Sequence, residues 1–203
     1  MRCVLLIVVS VVLLGPAASG RAATIEYVAH ACFVIESDAG ERVLVDPFAS
    51  KVWLGYDFPE LRPVDAVVVL NTIFRIEVDG LSIVHLGDNG PLTEENYRQL
   101  RPVDILMVPA DAFEHILKND EIAAIVAAIE PRVVVPMHYL IPELETEADS
   151  PGDLGEIEPW LAGRAKVVRL GSHLWEPVAK VDLAGDGPAV VVFEASAIKR
   201  REG

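Results

Sequence analysis

The chain has 203 residues, enough for one domain with or without a leader, and 52% of them are hydrophobic, ample for a core. Acidic residues outnumber basic ones by 31 to 17, leaving a formal net charge of -14. A surface of that sign repels phosphate backbones and anionic membranes, which argues against nucleic acid as a partner.

Residues 1–20 read as a secretory signal peptide. Arg2 supplies the positive start, Val4 to Leu14 is an apolar run broken only by Ser10, and Pro16-Ala-Ala-Ser-Gly20 offers small residues for cleavage. The run is short for a bilayer span, so cleavage and a secreted or periplasmic location are expected, with no stable membrane anchor afterwards. Retention as a short N-terminal anchor is the alternative. Cys3 precedes the run, so after cleavage only Cys32 remains and no intramolecular disulfide forms. Cys32, inside Ala-Cys-Phe-Val-Ile, reads as a buried small hydrophobe.

The domain proper opens with Thr24–Glu36, two short strands parted near Ala29-His30. Ser37-Asp-Ala-Gly40 is a turn, and Arg42–Asp46 is a third strand ending at Pro47. Phe48–Arg62 is a loop of a size that often carries function. Ala66–Leu70 is a continuous apolar run of the kind found in buried strands. Ile73, Ile76 and Val78 then form one apolar-rich run and Leu81, Ile83 and Val84 a second. Asp79-Gly80 between them is a strong hairpin signal. The second run ends in His85-Leu-Gly-Asp88, which delivers two metal-binding or proton-handling side chains at a strand tip.

Thr93 caps a short helix to about Leu100, with Glu94 and Glu95 in its first turn. Val103–Pro109 is a buried strand. Asn119 or Asp120 caps a helix whose Ile122, Ile125, Val126 and Ile129 make one apolar stripe, ended by Pro131. Arg132–Pro136 is the next strand, followed directly by Met137-His138-Tyr139. Leu140–Glu158 is an acidic loop rich in Pro and Gly. A short helix near Trp160, a strand at Lys166–Leu170 and closing strands through Val190–Phe193 complete the domain, and residues 196–203 read as a solvated tail. There is no repeat at solenoid periods.

Three of these features together resemble the metallo-β-lactamase superfamily: the Ala29-His30-Ala31 step with a strand closing in Asp46-Pro47, the hairpin running into His85-Leu-Gly-Asp88, and the ending Pro136-Met-His-Tyr139. The resemblance covers Thr24 to Ala195. It implies an α/β fold, an αββα sandwich of two mixed sheets packed face to face. A single mixed sheet with helices on one side is the alternative architecture. The chemistry implied is metal-assisted hydrolysis, in which one or two zinc ions lower the pKa of a bound water. By resemblance Asp88 is the metal-bridging carboxylate, His138 the final histidine ligand and Asp46 a supporting carboxylate, with His30 and His85 near the site.

The chain departs from the family in two places. Ala29 stands where Gly is usual. Leu70 is followed at once by Asn71-Thr-Ile-Phe74, so the His-x-His-x-Asp-His tetrad that supplies most ligands, and a later histidine loop, are missing. An internal deletion is the simplest account, and no His between His30 and His85 replaces the loss. A catalytic zinc needs about three protein ligands and an open position. The expectation is therefore one zinc ion at most, weakly held by Asp88, His138 and either His85 or His30.

Each of these residues also has an ordinary reading. His85 and His138 are strand-end histidines of the kind that usually make structural hydrogen bonds. His30 is a packed turn residue, and Asp46 and Asp88 are turn residues. His115 and His173 lie in no motif and read as surface residues. Three functional readings follow. The first is an exported hydrolase with a reduced site, acting on an ester, amide, lactone or phosphoester. The second is a non-catalytic descendant that binds a small molecule or partner between Asp46, His85, Asp88 and His138. The third is a chain damaged at the level of its gene. A Gly-rich phosphate loop, a nucleophile elbow and a cysteine pair at zinc spacing are all absent from the sequence.

Overall fold

The computed structural model describes residues 8–12, 23–47, 56–69, 73–110, 114, 116–141, 154–177 and 187–200. In chain order the strands begin β1 (Val8–Val12), β2 (Thr24–Ala29), β3 (Cys32–Glu36), β4 (Arg42–Val45), β5 (Tyr56–Asp57), β6 (Ala66–Val68) and β7 (Ile73–Val78). They continue with β8 (Leu81–His85), β9 (Ile105–Pro109), β10 (Val133–Met137), β11 (Val167–Leu170), β12 (Leu174–Trp175), β13 (Ala189–Phe193) and β14 (Lys199–Arg200). The helices are α1 (Glu94–Leu100), α2 (Asn119–Ile129) and α3 (Glu158–Leu161).

One sheet has seven strands in the order β1-β7-β8-β9-β10-β13-β11, and the other has five in the order β12-β2-β3-β4-β6. In the larger sheet only β7–β8 is antiparallel. In the smaller sheet only β4–β6 is parallel. The sheets face one another: the ring centroids of Tyr27 on β2 and Phe33 on β3 lie 5.3 and 6.2 Å from that of Phe193 on β13. Two mixed sheets around one core are the α/β sandwich the sequence implied, so the single-sheet alternative is set aside. Every residue of β8, β9 and β10 is buried, which explains why these segments read as apolar runs: parallel strands are covered on both faces.

The β7–β8 hairpin closes with Val78 opposite Leu81, Asp79 at φ 47° and Gly80 at φ 74°. Positive φ at both central residues is what a type I′ turn requires, and Asp-Gly is suited to it. Cys32 is buried, as its neighbours suggested. Of the long loops, residues 48–55 and 142–153 lie outside the described residues.

Several elements differ from the sequence reading. β6 is not a buried strand. It pairs with β4 alone among the described residues and forms an edge, so Val67 and Val69 are 50% and 46% exposed. An apolar run reports a strand with covered faces, and at an edge with one strand partner that cover is incomplete. The N-cap of α2 is Lys118, whose N–H donates to the Glu121 carboxylate at 2.8 Å. The segment read as a tail is partly built in: Ala197 and Ile198 are buried, and Lys199–Arg200 pairs with Tyr56–Asp57. Residues Val8–Val12, within the run expected to be cleaved as a leader, form β1 parallel to β7 in the full chain, with Val8 opposite Ile73 and Val12 opposite Glu77.

Candidate functional site

β8 and β10 run parallel on either side of β9, so their C-terminal ends open on one edge of the larger sheet. Asp88 follows β8 and His138 follows β10. The two tips meet, with His138 Nε2 3.8 Å from Asp88 Oδ1. His138 is buried while Asp88 is 38% exposed, so the pair spans from the interior to the surface.

The smaller sheet contributes the opposing wall. The turn between β2 and β3 carries His30, whose carbonyl accepts a 3.0 Å hydrogen bond from the His138 N–H and another from the Tyr27 hydroxyl at 3.2 Å. The His30 and His138 rings meet edge to face, with centroids 3.7 Å apart at 64°. Asp46, at the exit of β4, is held by its N–H donating to the Val68 carbonyl at 2.8 Å.

Three of these residues adopt left-handed backbone: His30 at φ 60°, Asp46 at φ 47° and His138 at φ 69°. Non-glycine residues rarely take that region, at a cost of order 1 kcal/mol or more each, and such positions concentrate where side chains must be aimed for function. Two other left-handed residues have local explanations, since Asp79 closes the hairpin and Glu130 ends α2.

His85 is completely buried, and both of its ring nitrogens are committed within the chain. Nδ1 accepts the Gly87 N–H at 3.1 Å, which puts the proton on Nε2, and Nε2 donates to the Ala31 carbonyl at 2.9 Å. The ring thus ties the β8 tip to the residue beside His30. Burial pushes its pKa below the ordinary histidine value, opposed by the Ala31 carbonyl and by the nearby charge of Asp46. In this arrangement neither nitrogen offers a lone pair to a metal. His85 braces the site from behind.

The sequence reading missed two supports. Buried Asn89 donates from its side chain to the Leu86 carbonyl, holding the Gly87-Asp88 turn. Tyr139 donates its hydroxyl to the Phe193 carbonyl at 2.5 Å and stacks on Tyr27, so the backbone after His138 is pinned to β13. An Asn next to Asp88 and a Tyr next to His138 were the available signals. The His173 carbonyl accepts from the Tyr27 N–H at 2.8 Å, and His115 lies outside the described residues.

A zinc ion that does chemistry needs about three nitrogen, sulfur or carboxylate donors converging on one point. Among the described residues no group of three or more His, Cys, Asp or Glu side chains is arranged to hold a metal. Asp88 and His138 supply two donors, His85 is spent on the backbone, and the His30 ring packs on that of His138 without completing a group of three, so the described donor set does not fit a zinc ion.

The chain matches the model of a family described as the beta-lactamase superfamily domain, over residues 24–70 and 59–138. The two pieces meet in 59–70, beside the Leu70-Asn71 junction where the tetrad is missing, and a match in pieces is what an internal loss produces. A Thermotoga maritima protein, described as a candidate zinc-dependent hydrolase of the metallo-beta-lactamase superfamily, is 20% identical with a TM-score of 0.61, covering 84% of this chain and 98% of its own. That likeness is one of fold. A metallo hydrolase from the archaeon Ignicoccus hospitalis is 13% identical with a TM-score of 0.40, covering 62% of this chain and 86% of its own. A search of the curated proteins finds no match.

Proposed function

Because the chain belongs to the beta-lactamase superfamily, we propose that it is an exported, hydrolase-like member whose site is reduced to the His138–Asp88 pair. The observation that carries this reading is the 3.8 Å approach of the two strand tips. Support for export is the run from Val4 to Leu14 behind Arg2.

In this reading His138 takes a proton from water as the water oxygen bonds to the carbonyl or phosphoryl centre of an ester, amide, lactone or phosphoester, and returns it to the leaving oxygen or nitrogen as the scissile bond breaks. Asp88, at the surface end of the pair, stabilises the imidazolium that forms. The His30 ring, packed against His138, holds the base in one orientation. His85 keeps the β8 tip and the β2–β3 turn together and touches no reacting atom. General-base assistance of this kind contributes about 10²–10⁴-fold, well short of a full metal site.

A second reading is favoured by the missing third donor: the cleft binds a small molecule without turning it over. Hydrolysis of p-nitrophenyl esters and bis(p-nitrophenyl) phosphate, with and without added zinc or manganese, separates the two. A rate lost in both His138→Ala and Asp88→Ala supports the enzyme. A rate equal to a metal-only blank supports the binding protein.

A further inference from the structure

A second concavity lies on the outer face of the larger sheet, where α2 and α3 pack over the incoming ends of β10 and β13. Its volume is about 390 Å³, and Val126, Ala127, Val134, Val190 and Trp160 give it apolar walls. That volume falls within the usual range of small-ligand sites. Val134 is near the start of β10 and His138 follows its end, so this cavity is separate from the cleft described above.

Two cations stand at its mouth. Arg42, Arg62, Arg75, Arg98, Arg132 and Arg169 each sit against a carboxylate. Arg164 and Lys166, which line the cavity, have no carboxylate partner among the described residues. The Arg164 guanidinium instead lies 3.7 Å over the Trp160 ring and donates to the Trp160 carbonyl. Its partial burial lowers its pKa, so this cation is held partly out of water with no counter-charge among the described residues. In a chain of net charge -14, two such cations at the rim of an apolar cavity call for an anionic partner.

We propose that this cavity binds an aliphatic monocarboxylate, with the carboxylate on Arg164 and Lys166 and the alkyl chain against Val126, Val134, Val190 and Trp160. Arg favours carboxylate through paired, charge-assisted hydrogen bonds, and the chain supplies apolar burial.

The test is calorimetric titration of the full chain with octanoate and decanoate, against decanol and decylammonium at equal chain length. The expected result is saturable binding that tightens about fourfold per methylene, with decylammonium much weaker than decanoate. The Arg164→Gln/Lys166→Gln double variant should weaken decanoate at least tenfold and leave decanol unchanged. Ala127→Trp, at an exposed wall position, should abolish binding of both, with Ala123→Leu as a milder block and circular dichroism confirming the fold. Equal affinity for decylammonium, binding that ignores Ala127→Trp and Ala123→Leu, or no saturable decanoate binding at all would overturn the proposal.

Discussion

Replacing His85 with leucine separates a brace from a metal ligand. Leucine fills the same buried space but removes the partner of the Gly87 N–H and that of the Ala31 carbonyl, both enclosed with the ring. An unsatisfied buried polar group costs about 1–3 kcal/mol, so the two together predict a loss of about 2–6 kcal/mol. Urea unfolding followed by circular dichroism reads this directly, in buffer free of added metal. The pH dependence gives an independent check. The folded-state pKa of His85 lies below its unfolded value of about 6.5, so the unfolded state binds the extra proton first as pH falls. Wild-type stability from this residue is therefore fully present above about pH 6.5 and declines below it, by up to about 1.4 kcal/mol per unit until the folded group also titrates. His85→Leu should lose that slope. A variant within about 0.5 kcal/mol of wild type, with an unchanged acid slope, would show that the two hydrogen bonds do not hold the site together.

Two other perturbations follow from the edges of the sheets. Val67→Lys should change stability by less than about 0.5 kcal/mol, because the side chain is half exposed, while reducing aggregation on heating; a large destabilisation would mean that β6 is covered in solution. Removing residues 1–22, as cleavage of the proposed leader would do almost entirely, takes away β1 and leaves β7 as the outer edge, so the shortened chain should associate with rising concentration in size-exclusion chromatography with light scattering. A shortened chain that stays monomeric and as stable as the full one would mean that this edge needs no cover.

What could be read from residues alone was local. Asp79-Gly80 between two apolar runs marked the hairpin because turn chemistry acts over two residues. The buried strands β9 and β10 were visible as runs because both faces are covered. The ends of those strands gave Asp88 and His138, and the fold brings them together. The role of His85 was not readable, since one of its partners is the carbonyl of Ala31, 54 positions away. Nor was the exposure of Val67, which depends on β6 having β4 as its one strand neighbour among the described residues rather than on its own sequence. The run Val8–Val12 carries the same signal whether it is a leader or an edge strand, because apolar content alone defines both. The left-handed backbone at His30 and His138 is imposed by the meeting of the two sheets, and no residue type nearby announced it.

The most direct test of the reduced site is the zinc content of protein purified without chelator, dialysed, and then titrated with zinc. With only Asp88 and His138 supplying donors among the described residues, the metal should be well below one ion per chain after dialysis, with no saturable uptake in the micromolar range. One zinc per chain retained through dialysis, and lost in both His138→Ala and Asp88→Ala, would contradict it.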